Sequence, residues 1–167
     1  MARKKIAIAC QGGGTHAAFT WGVLAEILET KKSWDRNAGE GFEIVSLSGT
    51  SAGALCAFAT WYGLVPNTAD PRCGTVDKAI ERLNFLWTTF AATTAVEKTL
   101  NRAVAVTLNL KEKGLPLPKG NPYSAATHLA MSALSMMGAR DVYLGFPALL
   151  DELCPDFDAI DWPKVAA

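Results

Sequence analysis

The chain has 167 residues, half of them hydrophobic and 19% charged, with 16 basic and 16 acidic side chains that cancel. That length argues for one domain, and the apolar share supplies a core burying roughly two thirds of the unfolded surface, which excludes a disordered chain. With no basic excess and no acidic run, net charge points neither to nucleic acid nor to anionic lipid.

Residues Lys5–Cys10 predict a short buried strand that ends at three glycines, Gly12, Gly13 and Gly14. Its apolar run is too short for the core of a signal peptide. Thr15–Thr30 follows with Phe19, Val23, Leu24 and Ile27 at helical spacing and Glu26 and Glu29 on the other side. A polar loop, Lys31–Gly41, leads to a second strand, Phe42–Leu47. Directly after it, Ser48-Gly-Thr-Ser-Ala-Gly53 turns into an apolar helix, Ala52–Gly63. Strand–turn–helix twice in about 60 residues is the pattern of a parallel α/β sheet with crossover helices.

The remainder reads as helices broken by loops. Pro66–Gly74 is turn-rich; Thr75 is placed to cap a helix running to about Thr89; Ala95–Leu108 is a further helix. Lys111–Pro122, with three prolines and two glycines, is a loop. Ser124–Met137 and Gly145–Leu153 complete the helices, the latter with Pro147 near its start. The longest apolar stretch, Ala52–Val65, is interrupted by Thr60 and Gly63 and is too short to span a bilayer. The four cysteines are widely spaced without metal-ligand patterns. A soluble, cytoplasmic, reduced chain is therefore expected, with peripheral membrane contact as its closest approach to lipid.

Gly49-Thr50-Ser51-Ala52-Gly53 is the strongest local signal. A sharp strand-to-helix turn forces strained backbone angles on its serine, and only small residues two positions either side avoid collision. The serine is then presented at a helix N-terminus, where the Ala52 amide can face a developing oxyanion. Gly12, Gly13 and Gly14 leave their N–H groups unobstructed, which suits oxyanion donors worth about 10²–10³ in rate each, or a phosphate cradle. Parallel strands open on the same edge, so both loops are expected to face one crevice.

Together these residues resemble the patatin-like phospholipase family, in which a strand, a Gly-Gly-Gly-x-Arg/Lys-Gly loop, a helix and a second strand precede a G-x-S-x-G turn. Gln11-Gly-Gly-Gly-Thr-His-Ala17 and Ser48-Gly-Thr-Ser-Ala-Gly-Ala-Leu55 match in order and spacing, over about residues 4–63. The resemblance implies a three-layer α/β/α domain with a mainly parallel sheet. Residues 1–167 are then a single patatin-like domain, incomplete at its C-terminus. Within it, residues 4–63 form the α/β core and residues 64–167 a mostly helical cap.

The resemblance also implies a lipid acyl hydrolase acting on phospholipid or another acyl-ester lipid, without metal or organic cofactor. Ser51 is its nucleophile; Gly12, Gly13, Gly14 and the Ala52 amide form its oxyanion hole; Gly49 and Gly53 frame the elbow. The sequence departs from the pattern at His16, where the family has Arg or Lys, and at Ala17, where it has glycine. The family's base is an aspartate in an Asp-Gly motif, and no Asp-Gly occurs here. That aspartate is expected beyond this chain, the 167 residues alone are expected to turn over poorly, and an open sheet edge is expected to promote aggregation.

Other readings stand beside this one. Gly12-x-Gly14-x-x-Ala17 also fits a dinucleotide loop, which calls for an acid at the end of the second strand, whereas Glu43 lies near its start. A lipid-binding module without catalysis is the other alternative. No Gly-Lys-Ser/Thr follows the glycines, so a P-loop is excluded. His16 is expected to pair with a backbone carbonyl, and His128 to be a satisfied structural histidine among apolar neighbours. Asp141, Asp151, Asp156, Asp158 and Asp161 are expected to be caps or solvated acids. Trp21, Trp34, Trp61, Trp87 and Trp162 are read as core and rim, and Met131, Met136 and Met137 as core filling.

Overall fold

The computed structural model describes residues 3–36, 41–114, 121 and 124–165. They fall into two compact units, Met1–Thr88 with Leu153–Ala167, and Thr89–Glu152.

In the first unit, β1 (Lys4–Cys10) and β2 (Phe42–Gly49) pair in parallel, from Lys4 opposite Phe42 to Cys10 opposite Gly49. The register slips by one residue between Ile6 and Ala7, which makes Val45 the extra residue on β2 and leaves it half exposed. The expectation of a buried first strand fails here. Along β1 only Cys10 is buried, because among the described residues the sheet has two strands and none lies beside them to exclude water.

A 3₁₀ turn at Gly14–His16 leads into α1 (Ala17–Asp35), which runs five residues past the expected end. Lys31 and Asp35, four apart on one face, pair at 2.8 Å, and the Lys31 ammonium also donates to the Phe42 carbonyl at 3.0 Å. The last helical turn is thereby tied to the start of β2. The rest of the expected loop includes residues 37–40, which lie outside the described residues. On α1 the buried row is Ala17, Leu24 and Leu28, while Phe19 and Val23, expected on the core face, are exposed.

Helix α2 (Ala52–Leu64) packs on both strands and on α1. Its partner α3 (Val76–Phe90) approaches so closely that a side chain at Gly63 would strike the Ala79 backbone. Thr75 caps α3 as expected, accepting from the Lys78 amide at 3.1 Å. Trp21 stacks on Trp87 with ring centres 6.0 Å apart and donates to the Asn84 side chain at 2.8 Å, joining α1 to α3. Leu24, Leu28, Cys56, Tyr62, Leu83 and Leu86 form the core of this unit.

The tail, read from sequence as polar caps, does more. Asn67 and Ile160 form an antiparallel bridge, flanked by the Thr68 amide on the Ala159 carbonyl (2.8 Å) and the Asp161 amide on the Pro66 carbonyl (3.0 Å). The buried Asn67 amide donates to the Asp156 carbonyl, and Tyr62 donates to that of Pro155. These bonds dock the segment that carries the unforeseen short helix α8 (Trp162–Val165), counted after α4–α7 below.

The second unit holds α4 (Ala95–Glu112), α5 (Ala125–Met136), α6 (Asp141–Leu144) and most of α7 (Phe146–Leu153). Thr94 accepts from the Glu97 amide while Glu97 accepts from the Thr94 amide, a reciprocal cap that starts α4. The fully buried Glu97 carboxylate also receives Arg140 Nε at 2.8 Å, and Arg140 Nη2 bonds the Thr89 and Ala91 carbonyls. Ser124 caps α5 as its position suggests. Helix α4 runs on through Lys111 and Glu112, the start of the expected loop; residues 115–120, 122 and 123 lie outside the described residues. Met136 and Met137 are largely exposed, which corrects their assignment to the core.

Candidate active site

Strand β2 ends at Gly49, two residues turn, and α2 begins at Ala52. Ser51 sits at the turn with φ 52° and ψ −131°, a conformation that costs a residue with a Cβ about 1–3 kcal/mol. The flanking glycines are required sterically. A Cβ on Gly49 would lie 2.5 Å from the Gly53 carbonyl oxygen, and one on Gly53 would lie 2.5 Å from the carbonyl oxygens of both Cys10 and Gln11. The turn is closed by the Gly53 amide on the Thr50 carbonyl (3.0 Å) and the Ala54 amide on the Ser51 carbonyl (2.8 Å).

The glycine loop after β1 meets this turn directly. The Thr50 amide donates to the Cys10 carbonyl at 3.2 Å, extending the strand pairing past Gly49. A Cβ on Gly12 would fall 2.5 Å from the Thr50 carbonyl oxygen and 3.1 Å from Ser51 Cβ, so only glycine fits. Beyond it, Gly13 (φ 146°) and Gly14 (φ 57°) adopt left-handed angles that other residues avoid, and the His16 amide returns to the Gly13 carbonyl at 3.1 Å. Two loops widely separated in sequence thus share one sheet edge. Ser51, Gly13 and Gly14 are exposed, and Ala52 and Gly12 are half-buried. Among the described residues, the amides of Gly13, Gly14 and Ala52 donate to no other protein group, and Ala52 opens a 13-residue helix with no side-chain cap.

A cleft of about 460 Å³ runs from Gln11 and Gly12 along β1 and α1, between Ile8 on one side and Phe19, Val23 and Ile27 on the other. His16 stands exposed at its glycine end. Cys10 is buried beneath the turn, and burial pushes its thiol above the ordinary range, as the adjacent Cys56 also does.

The other sequence candidates lie elsewhere. His128 is exposed on α5, a correction to its reading as a core histidine. Asp161 caps α8 and pairs with Lys164 at 2.7 Å, which holds its carboxyl below the usual range; Asp141 accepts from Ser135; Asp151, Asp156 and Asp158 are exposed. Glu43 pairs opposite Lys5 at the far end of the sheet, six residues or about 20 Å from Gly49, the wrong end for a ribose contact beside the glycine loop. Among the described residues, no three His, Cys, Asp or Glu side chains form a metal-binding group, and no helix is long and apolar enough to cross a membrane.

Sequence reasoning overlooked the buried Glu97–Arg140 pair, although Thr94-x-x-Glu97 has the spacing of a reciprocal helix cap. It also overlooked the Thr50–Cys10 bond, for which a lone sequence offers no signal, since any two residues can supply backbone groups.

A parallel strand pair leads into a strained serine at a helix N-terminus, with a glycine loop packed against it, in an α/β fold. The family model described as patatin-like phospholipase matches residues 8–160, and the chain belongs to that family. Membership places it among lipid acyl hydrolases and gives it lipid as its substrate class. Comparison with curated proteins and with solved structures returned no significant match.

Proposed function

We propose that Ser51 is the nucleophile of an acyl-ester hydrolase acting on phospholipid or a related lipid. The supporting observation is the lodging of Gly12 against Thr50 and Ser51, which sets the glycine loop beside a serine already held at a strained angle. In this reading Ser51 Oγ attacks the ester carbonyl as its proton passes to a carboxylate base. The amides of Gly12, Gly13, Gly14 and Ala52 bind the oxyanion, with the dipole of α2 adding to the Ala52 contribution. Collapse of the intermediate releases the alcohol, which takes the proton, and leaves an acyl-Ser51 ester. Water activated by the same carboxylate then attacks the acyl carbon, releasing the fatty acid and restoring the Ser51 hydroxyl.

The base is an aspartate acting as one half of a Ser–Asp dyad. No Asp-Gly occurs in these 167 residues, so this reading leaves the dyad's aspartate unassigned here.

A fluorophosphonate probe tests this. Covalent labelling of the folded chain at Ser51, slow without its carboxylate base and lost in Ser51→Ala, is the expected result. Folded chain that resists the probe but binds fatty acid would favour a lipid-binding module, and micromolar binding of NAD or FAD would replace the reading with a dinucleotide site.

A further inference from the structure

Zero net charge hides a local asymmetry in the second unit. Val104, Val106 and Leu110 of α4, Leu129 and Met136 of α5, and Met137 at its C-cap are all exposed, at 37–90%. An apolar groove of about 380 Å³ runs between the two helices, lined by Val96, Leu100 and Ala103 of α4 and by Leu134 and Met137.

At about 100° per residue, Val96, Leu100, Ala103, Val106 and Leu110 occupy one arc of α4. Arg102 and Lys113 follow one border of that arc and Lys111 the other, all three exposed, while Lys98 lies on the far face. The two acids do not oppose them. Glu97 is buried against Arg140, and Glu112 lies diametrically opposite the centre of the apolar arc. Helix α5 itself carries no acidic residue, and the exposed acid at its end, Asp141, is engaged by the Ser135 hydroxyl.

An apolar stripe bordered by cations, with both α4 acids buried or turned away, fits the plane of an anionic bilayer better than another protein face. From this we infer that α4 and the end of α5 dock the chain on an anionic lipid surface. Apolar side chains enter the headgroup boundary, and Arg102, Lys111 and Lys113 meet lipid phosphates. The inference rests on the proposed function only for its purpose, delivery of the chain to its substrate; the docking itself needs no catalysis.

The 167-residue chain should co-sediment with vesicles containing phosphatidylglycerol, should release with added salt, and should bind pure phosphatidylcholine vesicles far more weakly. Each cation removed should weaken binding about fivefold, so R102Q/K111Q/K113Q together should lose at least about a hundredfold. V106S/L110S should weaken binding without changing its salt dependence. Circular dichroism melting checks that these exposed changes leave the fold intact.

Equal binding to both vesicle types, or wild-type binding by the triple variant, would overturn the inference. Concentration-dependent self-association without vesicle binding would overturn it in favour of a second copy of the chain. Fluorophosphonate labelling in detergent-free buffer reports on Ser51 independently, so loss of docking and loss of the nucleophile are told apart.

Discussion

Gly12 and Thr50 touch through their backbones: a methyl group on Gly12 would lie 2.5 Å from the Thr50 carbonyl oxygen. Gly12→Ala must therefore push the glycine loop away from Ser51 or push β2 off β1. Overpacking of this kind costs about 1–3 kcal/mol. Labelling of Ser51 by a fluorophosphonate should fall by at least about tenfold, because displacement moves the amides proposed to bind the oxyanion. Gly22, on α1, has nothing within 4 Å of an added Cβ. Gly22→Ala should leave labelling unchanged and stabilise the fold by about 0.5–1 kcal/mol. Equal effects of the two substitutions would show that the Gly12 contact is incidental.

Ser51 stores strain that glycine would relieve. Ser51→Gly should abolish labelling yet raise the midpoint of urea unfolding, whereas Ser51→Ala, which keeps a Cβ at φ 52°, should abolish labelling without that gain. The difference is expected to be about 1 kcal/mol. Identical stability of the two variants would mean that the turn carries no strain.

Some of this architecture is legible in the sequence and some is not, for identifiable reasons. The two strand–loop–helix passages follow from local chemistry, because glycine at 12, 13, 14, 49 and 53 answers steric demands within a few residues or between adjacent strand ends. The boundary of α1 does not, because its last turn is held by Lys31 reaching the Phe42 carbonyl, a contact with the next strand. Phe19 and Val23 are apolar at helical spacing whether they face a core or an open cleft, so periodicity could not distinguish the two. The docking of 155–161 on Pro66 and Asn67 depends on backbone bonds between distant segments, and composition carries no record of them.

The Glu97–Arg140 pair should make stability acid-sensitive. The Arg140 hydrogen bonds hold the Glu97 carboxyl well below its ordinary value near 4.5, against the opposing effect of burial, with further help from the Thr94 and Thr93 amides. A carboxylate whose folded pKa is depressed adds stability that is fully present above its unfolded pKa and is lost as pH falls toward the folded value. Wild-type stability should therefore decline steadily below about pH 5. Glu97→Gln should start less stable at neutral pH and lose less on acidification. A variant whose acid profile parallels that of the wild type would assign the decline to other carboxylates, with Asp70, held low chiefly by its hydrogen bond from Lys78, the first to examine.

The cysteines give a direct readout of integrity at the opposite end of the pH scale. All four are free and buried, and burial raises each thiol, that of Cys154 to about 12 despite the opposing field of Arg82. At pH 8 the native chain should react with a disulfide reagent only through unfolding, at a rate set by opening rather than by thiolate chemistry, and should titrate four thiols in denaturant. Tyr62 moves the same way, its phenol pushed to about 12 chiefly by burial. For groups whose folded pKa is raised, the stabilisation is complete below the unfolded pKa and is lost as pH rises through the folded one, so stability should fall from about pH 9 to 12. Tyr62→Phe should remove the phenol's share of that alkaline loss while sacrificing its bond to the Pro155 carbonyl, at about 1 kcal/mol near neutral pH. Rapid native reaction of two or more thiols at pH 8 would show that β1 and α2, which hold Cys10 and Cys56 beneath the Ser51 turn, open far more readily than their packing implies.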